Sequence, residues 1–563
     1  MMKFFLKGPI TKVAALLFTG SFVVLAAAMR RDINVYDEGL ILVHATRVAQ
    51  GAVLHRDFYA NYGPAQFYIL AGLFKLFGPS VLVERVWDTI VRAMIVAIAF
   101  LIVQRAMSRH EGFFAAGLVL IWMCFLGYHA YPVFPALLFA LLGALCLLPL
   151  FEDRRSQPLL FCSGLCIGAS VLFRYDVGFY TFAALTLVSA GHVLWRPLLL
   201  GTRLADLLRV LLPVYLGLAL LCVPVAAAYA ASGMLQDFLF DVLYFQAQFY
   251  ARMRTLPFPD LGMLREAPIL IGIYLPPFVW VAALFAAISC RRPLSVPETT
   301  AARPWIMLLL GSLSALFYLK GLVRVALIQM GLSIVPALML SAMLLPCLRQ
   351  SAGHRIVRPG LIAAWSGLII VALPTLVAGV LDGRAVVQSA IWAMQPSTWS
   401  VAAADTPTSL ASCRPVAGLE RLACFEIDQT RADAIRYVEA RTRPNEVIFV
   451  GLGRHDRILG NDALFYFVGG WVPATKWYHF DPGLQTSKQI QTAMIGDLQA
   501  TKPRYAVLVS EWNDFSEPNE SAVSSNVTLL DDFLRANFQP VQVFGKLTVL
   551  RATETQMSEK GPG

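Results

Sequence analysis

Adjacent carboxylates at Asp37 and Glu38 are the first residues in this chain whose type and placing could do chemistry. They stand in Tyr36-Asp37-Glu38-Gly39, directly after an apolar stretch long enough to cross a bilayer. A carboxylate at the lipid–water boundary can take a proton from an acceptor hydroxyl while staying close to a lipid-borne substrate. Partial burial raises its pKa and a neighbouring cation lowers it, so its basicity is tunable. The plainer reading is that Asp37 caps the following helix, whose N-terminus favours negative charge in any case. The same segment continues with Arg56-Asp57-Phe58-Tyr59 and Asn61-Tyr62-Gly63-Pro64.

Cations near or inside apolar stretches form the second set. Arg85, Asp88 and Arg92 fall at i, i+3 and i+7, on one helix face. Arg174 and Asp176 follow another apolar run, and Lys320 and Arg324 end a later one. Charge in a membrane is expensive and points to function by default. Arginine's planar fork suits an anionic head group such as a phosphate. Against this, the Arg–Asp neighbours can simply neutralise each other, and Arg324 can anchor at lipid head groups. The aromatic segment 233–267, with Asp237, Asp241, Arg252, Arg254 and Arg265 interleaved, suits a helix lying in the interface over such a site, or an ordinary amphipathic connector. Trp471, Trp477, Tyr478 and His479 further on could stack on sugars, but core packing is the commoner role of such residues.

The elements that must position these groups are membrane helices. Hydrophobic residues make up 57% of the 563 and charged residues 15%, where soluble chains carry about 25% charge. Eleven apolar stretches approach spanning length, at about 10–29, 81–104, 112–130, 132–151, 158–173, 177–195, 207–232, 268–290, 304–320, 325–347 and 360–381. The apolar segment 64–78 is shorter and suits an interfacial or re-entrant helix. Lys and Arg recur in alternate turns, from Lys3, Lys7 and Lys12 through Arg105/Arg109, Arg154/Arg155, Arg196/Arg203/Arg209 and Arg291/Arg292/Arg303 to Arg349/Arg355/Arg358. By the positive-inside rule those turns are cytoplasmic, the N-terminus is inside, and the region after about residue 382 is outside. The +10 net charge is then topological, and no nucleic-acid partner is implied. Ala26-Ala27-Ala28 would suit signal cleavage, but the first stretch is read as a retained anchor.

From about residue 405 the pattern becomes that of a soluble α/β domain. Residues 431–442 read as an amphipathic helix, and Val447–Val450, Tyr505–Val509 and Val541–Leu550 as strands. The expected fold is therefore mostly α. A membrane unit over 1–381, with a first external loop at 30–80, precedes a linker and extracytoplasmic α/β domain over 382–563. Cys413 and Cys424, outside the membrane, are a candidate disulfide. Gly451-Leu-Gly453 lacks the third glycine of a dinucleotide loop, and P-loop, His-Glu-x-x-His and Cys-x-x-Cys motifs are missing. An ATP-driven pump and a zinc hydrolase are disfavoured.

Asp37-Glu38 after the first span, Arg56-Asp57-Phe58, Tyr59-Ala60-Asn61-Tyr62-Gly63-Pro64, Phe77-Gly78-Pro79-Ser80 and a downstream Arg85 together resemble the C-type (GT-C) integral membrane glycosyltransferases. The nearest branch is that of the protein O-mannosyltransferases and the lipid A aminoarabinose transferase. The resemblance covers about 1–380 and is best in 30–110. It implies a bacterial inner-membrane enzyme whose donor is a sugar on a polyprenyl phosphate. The acceptor hydroxyl would belong to a lipid, a glycan or a protein, in modification of the cell envelope. By the same resemblance Asp37 is the candidate base, supported by Glu38 and Asp57, and Arg174, Arg324 and Arg85 hold the carrier phosphate. No cofactor is required, and a divalent metal at Asp37 and Glu38 stays open. Two departures matter. Arg324-Val-Ala326-Leu-Ile-Gln329 lacks the Asp and His of the family's Arg-x-Asp-x-x-His, and no lysine stands beside Gly63-Pro64. The competing class is a transporter or flippase for a lipid-linked or anionic substrate, which usually shows internal repeats and broken helices. A scaffold that binds glycan without catalysis is a third reading.

Overall fold

The computed structural model describes residues 9–127, 129–195, 200–289, 302–350, 359–367, 369–370, 377, 418–423 and 425–553. Apolar runs of spanning length fold as helices because lipid leaves backbone polar groups no other partner. These are α1 (Pro9–Ala27), then after two shorter helices α4 (Val81–Ala106), α5 (Arg109–Phe125), α6 (Val133–Phe151), α7 (Gln157–Phe173), α8 (Tyr175–Leu194), α9 (Leu200–Ala231), α10 (Leu275–Ser289), α11 (Arg303–Gly321) and α12 (Leu327–Gln350). The two shorter ones are α2 (Asp37–Ala49) and α3 (Pro64–Phe77). Among the described residues eight helices are long and apolar enough to cross a membrane, counting a segment from Ile269 that includes α10. The predicted spans at 112–130 and 158–173 fold as 17-residue helices, at the short end of that range. Half of the eleventh predicted span falls outside the described residues, and Cys413 and Cys424 both do.

Helices α4, α6 and α12 form the interior, while α1 and α9 keep most of their surface at the rim. Ser80 caps α4, and a Ser108–Glu111 capping box starts α5. The 14-residue α3 buries Phe67, Leu70 and Phe74 and leaves Tyr68, Leu76 and Phe77 outward, as an interfacial helix does. One end of the bundle is held by Arg105–Glu152 and Arg155–Asp206 ion pairs, at turns read as cytoplasmic. The loops read as external meet at the opposite end, under the C-terminal domain.

That domain holds α13 (Gln429–Glu439), α14 (Ala463–Gly469), α15 (Lys488–Thr501) and α16 (Leu529–Asn537) around one mixed sheet. Its strands are β1 (Val447–Leu452), β2 (Val472–Pro473), β3 (Tyr505–Val509), β4 (Phe538–Phe544) and β5 (Leu547–Ala552), in the order β2-β1-β3-β5-β4. The pairs β1–β2 and β1–β3 are parallel, and β3–β5 and β5–β4 antiparallel. The single strand expected at Val541–Leu550 is a hairpin, because Gly545 adopts φ +55° and reverses the chain.

The domain packs directly on the segment read as the first external loop. Gly39 lets α2 meet α14, since a β-carbon there would collide with the Leu464 backbone. Leu464 N donates to Val35 O at 3.0 Å, Tyr59 N to Lys476 O at 3.0 Å, and Arg31 pairs with Glu426 at 2.9 Å.

Candidate active site

Asn34 starts α2: its Oδ1 accepts from the backbone N–H groups of Tyr36 and Asp37, at 3.0 and 2.8 Å. This Asx turn does the capping expected of Asp37, whose side chain makes no cap hydrogen bond. Instead Asn34 Nδ2 donates to Asp37 Oδ2 at 3.2 Å, and the carboxylate lines a cavity of about 410 Å³. Burial raises the Asp37 pKa above the usual carboxylate range, while Arg254 and then Arg324 pull it down.

Glu38 points elsewhere. It is fully buried and takes Arg85 through both oxygens, Nε–Oε1 at 2.6 Å and Nη2–Oε2 at 2.9 Å. Arg85 also donates to Arg30 O and Asp32 O, and Arg92 pairs with Asp88 at 2.8 Å while donating to Met123 O, Leu126 O and Gly127 O. These α4 charges fasten two loops to the bundle. Asp57 pairs with its neighbour Arg56 at 2.8 Å and accepts from Val53 N at 2.8 Å. None of Glu38, Arg85 and Asp57 lines the cavity, so the expected support for Asp37 and the third phosphate arginine are not placed there. With Glu38 turned to Arg85, the two adjacent carboxylates do not converge on one point. Among the described residues no three His, Cys, Asp or Glu side chains form a metal-holding group.

Arg174 and Arg324 do reach the site. Gly63 lets the loop approach the end of α7, where a β-carbon would collide with Leu172 O, and Gly63 N donates to Phe173 O at 3.2 Å. That contact sets Asn61 and Tyr62 beside Arg174, which lies 5.1 Å over the Tyr62 ring and donates to Tyr131 OH at 3.2 Å. Arg174 pairs with Asp176 at 3.0 Å, and Lys320 approaches the other oxygen of Asp176 at 3.7 Å. These three line a second cavity of about 230 Å³. It shares Asn61, Tyr250, Arg324 and Gln329 with the first, so the two adjoin.

The remaining walls come from segments whose role the sequence leaves ambiguous. The aromatic segment is a helix over 235–254 with two π-helical stretches at Phe240–Tyr244 and Gln246–Tyr250. Its Asp241 accepts from buried His55 at 2.8 Å, and its far end lays Tyr250 and Arg254 into the first cavity. The segment thus forms part of both cavity walls. The C-terminal domain supplies Leu459, Gly460, His479, Asp481, Trp512 and Glu517. Asp481 accepts from Arg254 Nη2 at 3.0 Å, Tyr59 OH at 3.1 Å and Asn61 Nδ2 at 3.3 Å. Glu517 takes Arg324 through both oxygens at 2.7 and 2.5 Å. Burial pushes His479 down to about 4 and His129 to about 3, so both line the cavity as neutral rings. Trp471, Trp477 and Tyr478 are core, as expected; His479, grouped with them, is both buried and on the cavity wall.

Residues 61–239 match the family model described as dolichyl-phosphate-mannose-protein mannosyltransferase. The structure of ArnT from Cupriavidus metallidurans bound to undecaprenyl phosphate superposes with a TM-score of 0.52 at 14% identity, covering 98% of this chain and 100% of that one. The chain has the ArnT fold. The Archaeoglobus fulgidus oligosaccharyltransferase, tethered to an acceptor peptide, gives a TM-score of 0.47 at 11% identity over 94% of this chain and 72% of that one. No curated protein matches in sequence.

Proposed function

We propose that this chain is a glycosyltransferase of the bacterial inner membrane that moves a hexose or pentose from a polyprenyl phosphate to an acceptor hydroxyl on the external face. The observation that carries this is Asp37, a carboxylate with no ion-pair partner among the described residues, facing a cavity that adjoins one lined by Arg174, Lys320 and Arg324 at one end of a membrane bundle. The likeness of 61–239 to a mannosyltransferase family that uses a lipid phosphate supports it, as does the shared fold with a protein crystallised with undecaprenyl phosphate.

In this reading Arg174, Lys320 and Arg324 hold the carrier phosphate. The acceptor oxygen attacks the anomeric carbon, and the bond from that carbon to the phosphate oxygen breaks. The bonding pair leaves on the phosphate, where the cations stabilise it. Asp37 takes the acceptor proton, and its raised pKa makes it a better base than a free aspartate. The acceptor is a lipid, glycan or protein that enters beneath the C-terminal domain, which faces the periplasm or the cell exterior.

The test is release of carrier phosphate in proteoliposomes from a panel of undecaprenyl-phosphate sugars, with membrane extract as acceptor. Wild type should turn over at least one donor. Asp37→Asn should lose about 10²–10⁴ in rate, with its thermal unfolding preserved, and Arg174→Ala should weaken donor use. Equal turnover in Asp37→Asn moves the base elsewhere. Binding with no turnover of any donor returns the flippase reading.

A further inference from the structure

If phosphate sits in the smaller cavity and the attacking hydroxyl at Asp37 in the larger, the sugar must lie where the two meet. This step rests on the function proposed above. Four residues line both cavities: Asn61, Tyr250, Arg324 and Gln329. Arg324 is engaged by Glu517 and by Arg254 O. The two amides differ from it. Asn61 Oδ1 and Gln329 Oε1 are buried and have no hydrogen-bond partner among the described residues. The Asn61 amide is fixed in orientation, because its Nδ2 donates to Asp481 and a flipped amide would set oxygen against a carboxylate. Buried acceptors of this kind are costly to leave unmade and call for a donor.

We infer that Asn61 and Gln329, with the ring of Tyr250, form the collar that recognises the transferred sugar, and that the sugar presents hydroxyl hydrogens to it and carries no carboxylate. Hydroxyl groups donate to amide oxygens, and the C–H face of a sugar ring packs on an aromatic ring. A uronic acid would bring an acceptor-only carboxylate against the fixed Asn61 oxygen and near Asp37 and Asp481. A site built to hydrogen-bond a hydroxyl discriminates strongly against an analogue that leaves its polar groups unpaired.

The experiment uses the full chain in proteoliposomes with undecaprenyl-phosphate-linked neutral hexoses and pentoses, their monodeoxy derivatives and the matching uronic acids. For the best neutral donor, Gln329→Leu should lower kcat/KM by about tenfold, and Gln329→Glu, which keeps an acceptor, should retain most of it. One monodeoxy donor should be used equally by wild type and Gln329→Leu, a pattern that a purely structural role does not give. Uronic acid donors should be silent with wild type. Equal loss on parent and every deoxy donor, or turnover of a uronic acid to match its neutral hexose, overturns the collar while leaving the transferase intact. Turnover of no donor by wild type overturns the transferase reading and the collar with it.

Discussion

The ion pairs of α4 and the charges around the two cavities use the same residue types to opposite ends. Along α4, Glu38–Arg85 and Asp88–Arg92 are closed pairs: every one of these side chains is buried, and the arginines spend their remaining donors on loop carbonyls. Around the cavities, Asp37 accepts one weak hydrogen bond, and Arg174 and Lys320 share a single acidic partner in Asp176. Charges paired with each other and tied to loop carbonyls fix where loops go, and none of these four lines either cavity. Incompletely satisfied charges at a cavity wall are where a substrate's charge can be met. Burial in a membrane protein therefore does not mark a catalytic charge; surplus hydrogen-bonding capacity facing open space does.

The sharpest way to break this contrast is to remove one member of each set. Arg85→Ala leaves Glu38 buried without its partner, and such losses cost about 3–5 kcal/mol. It should sharply lower the thermal unfolding midpoint in detergent and, with it, the yield of monodisperse protein. Asp37→Asn should do the reverse. Because the folded protein binds the Asp37 proton more tightly than the unfolded chain does, ionising it works against the fold. The stability this removes is present at low pH and is lost as pH rises through the unfolded and then the folded pKa. The neutral isostere should therefore be at least as stable as wild type at neutral pH and inactive. Turnover of wild type should fall on acidification through that raised pKa, and a profile flat down to the ordinary carboxylate range would remove Asp37 from the proton transfer.

A smaller effect is expected where the two sets touch. Arg324–Glu517 joins the membrane unit to the C-terminal domain and is only partly buried. Hydrogen bonds to charged groups contribute roughly 1.5–3 kcal/mol, so Glu517→Ala should loosen the domain by about that much. Limited proteolysis at the domain junction, compared with the unfolding midpoint, reads this directly: faster cleavage with little change in midpoint places the loss at the docking contact.

The membrane half of the cavity lining was legible because its signals are local. Asp37, Arg174 and Arg324 each stand at the end of an apolar run, so hydropathy alone brings them to one side of the bilayer. Adjacency misled at Glu38 and Asp57. One helical step turns Glu38 away from Asp37 toward Arg85, and Arg56 satisfies Asp57 from the next position. Asp481 and Glu517 were illegible, because their partners Tyr59, Arg254 and Arg324 lie 422, 227 and 193 positions earlier and no periodicity records the pairing. The one available signal was on the partner side: Arg324, read as an anchor at lipid head groups, had no nearby acid in the sequence to neutralise it. The hairpin at Gly545 was missed because an apolar run on both sides of a glycine reads as one strand.

The smallest effect should come from Asp57, which makes it the control for the others. Its carboxylate is part-exposed, paired with an outward Arg56, and absent from both cavity walls. Exposed pairs of this kind contribute at most about 1 kcal/mol, and asparagine keeps an oxygen to accept from Val53 N. Asp57→Asn should therefore match wild type in turnover and nearly so in unfolding midpoint. A loss of turnover comparable to that of Asp37→Asn would mean that proximity in sequence, rather than a place on the cavity wall, had identified the working carboxylate. The contrast between closed and open charges would then fail at the residue where it is easiest to test.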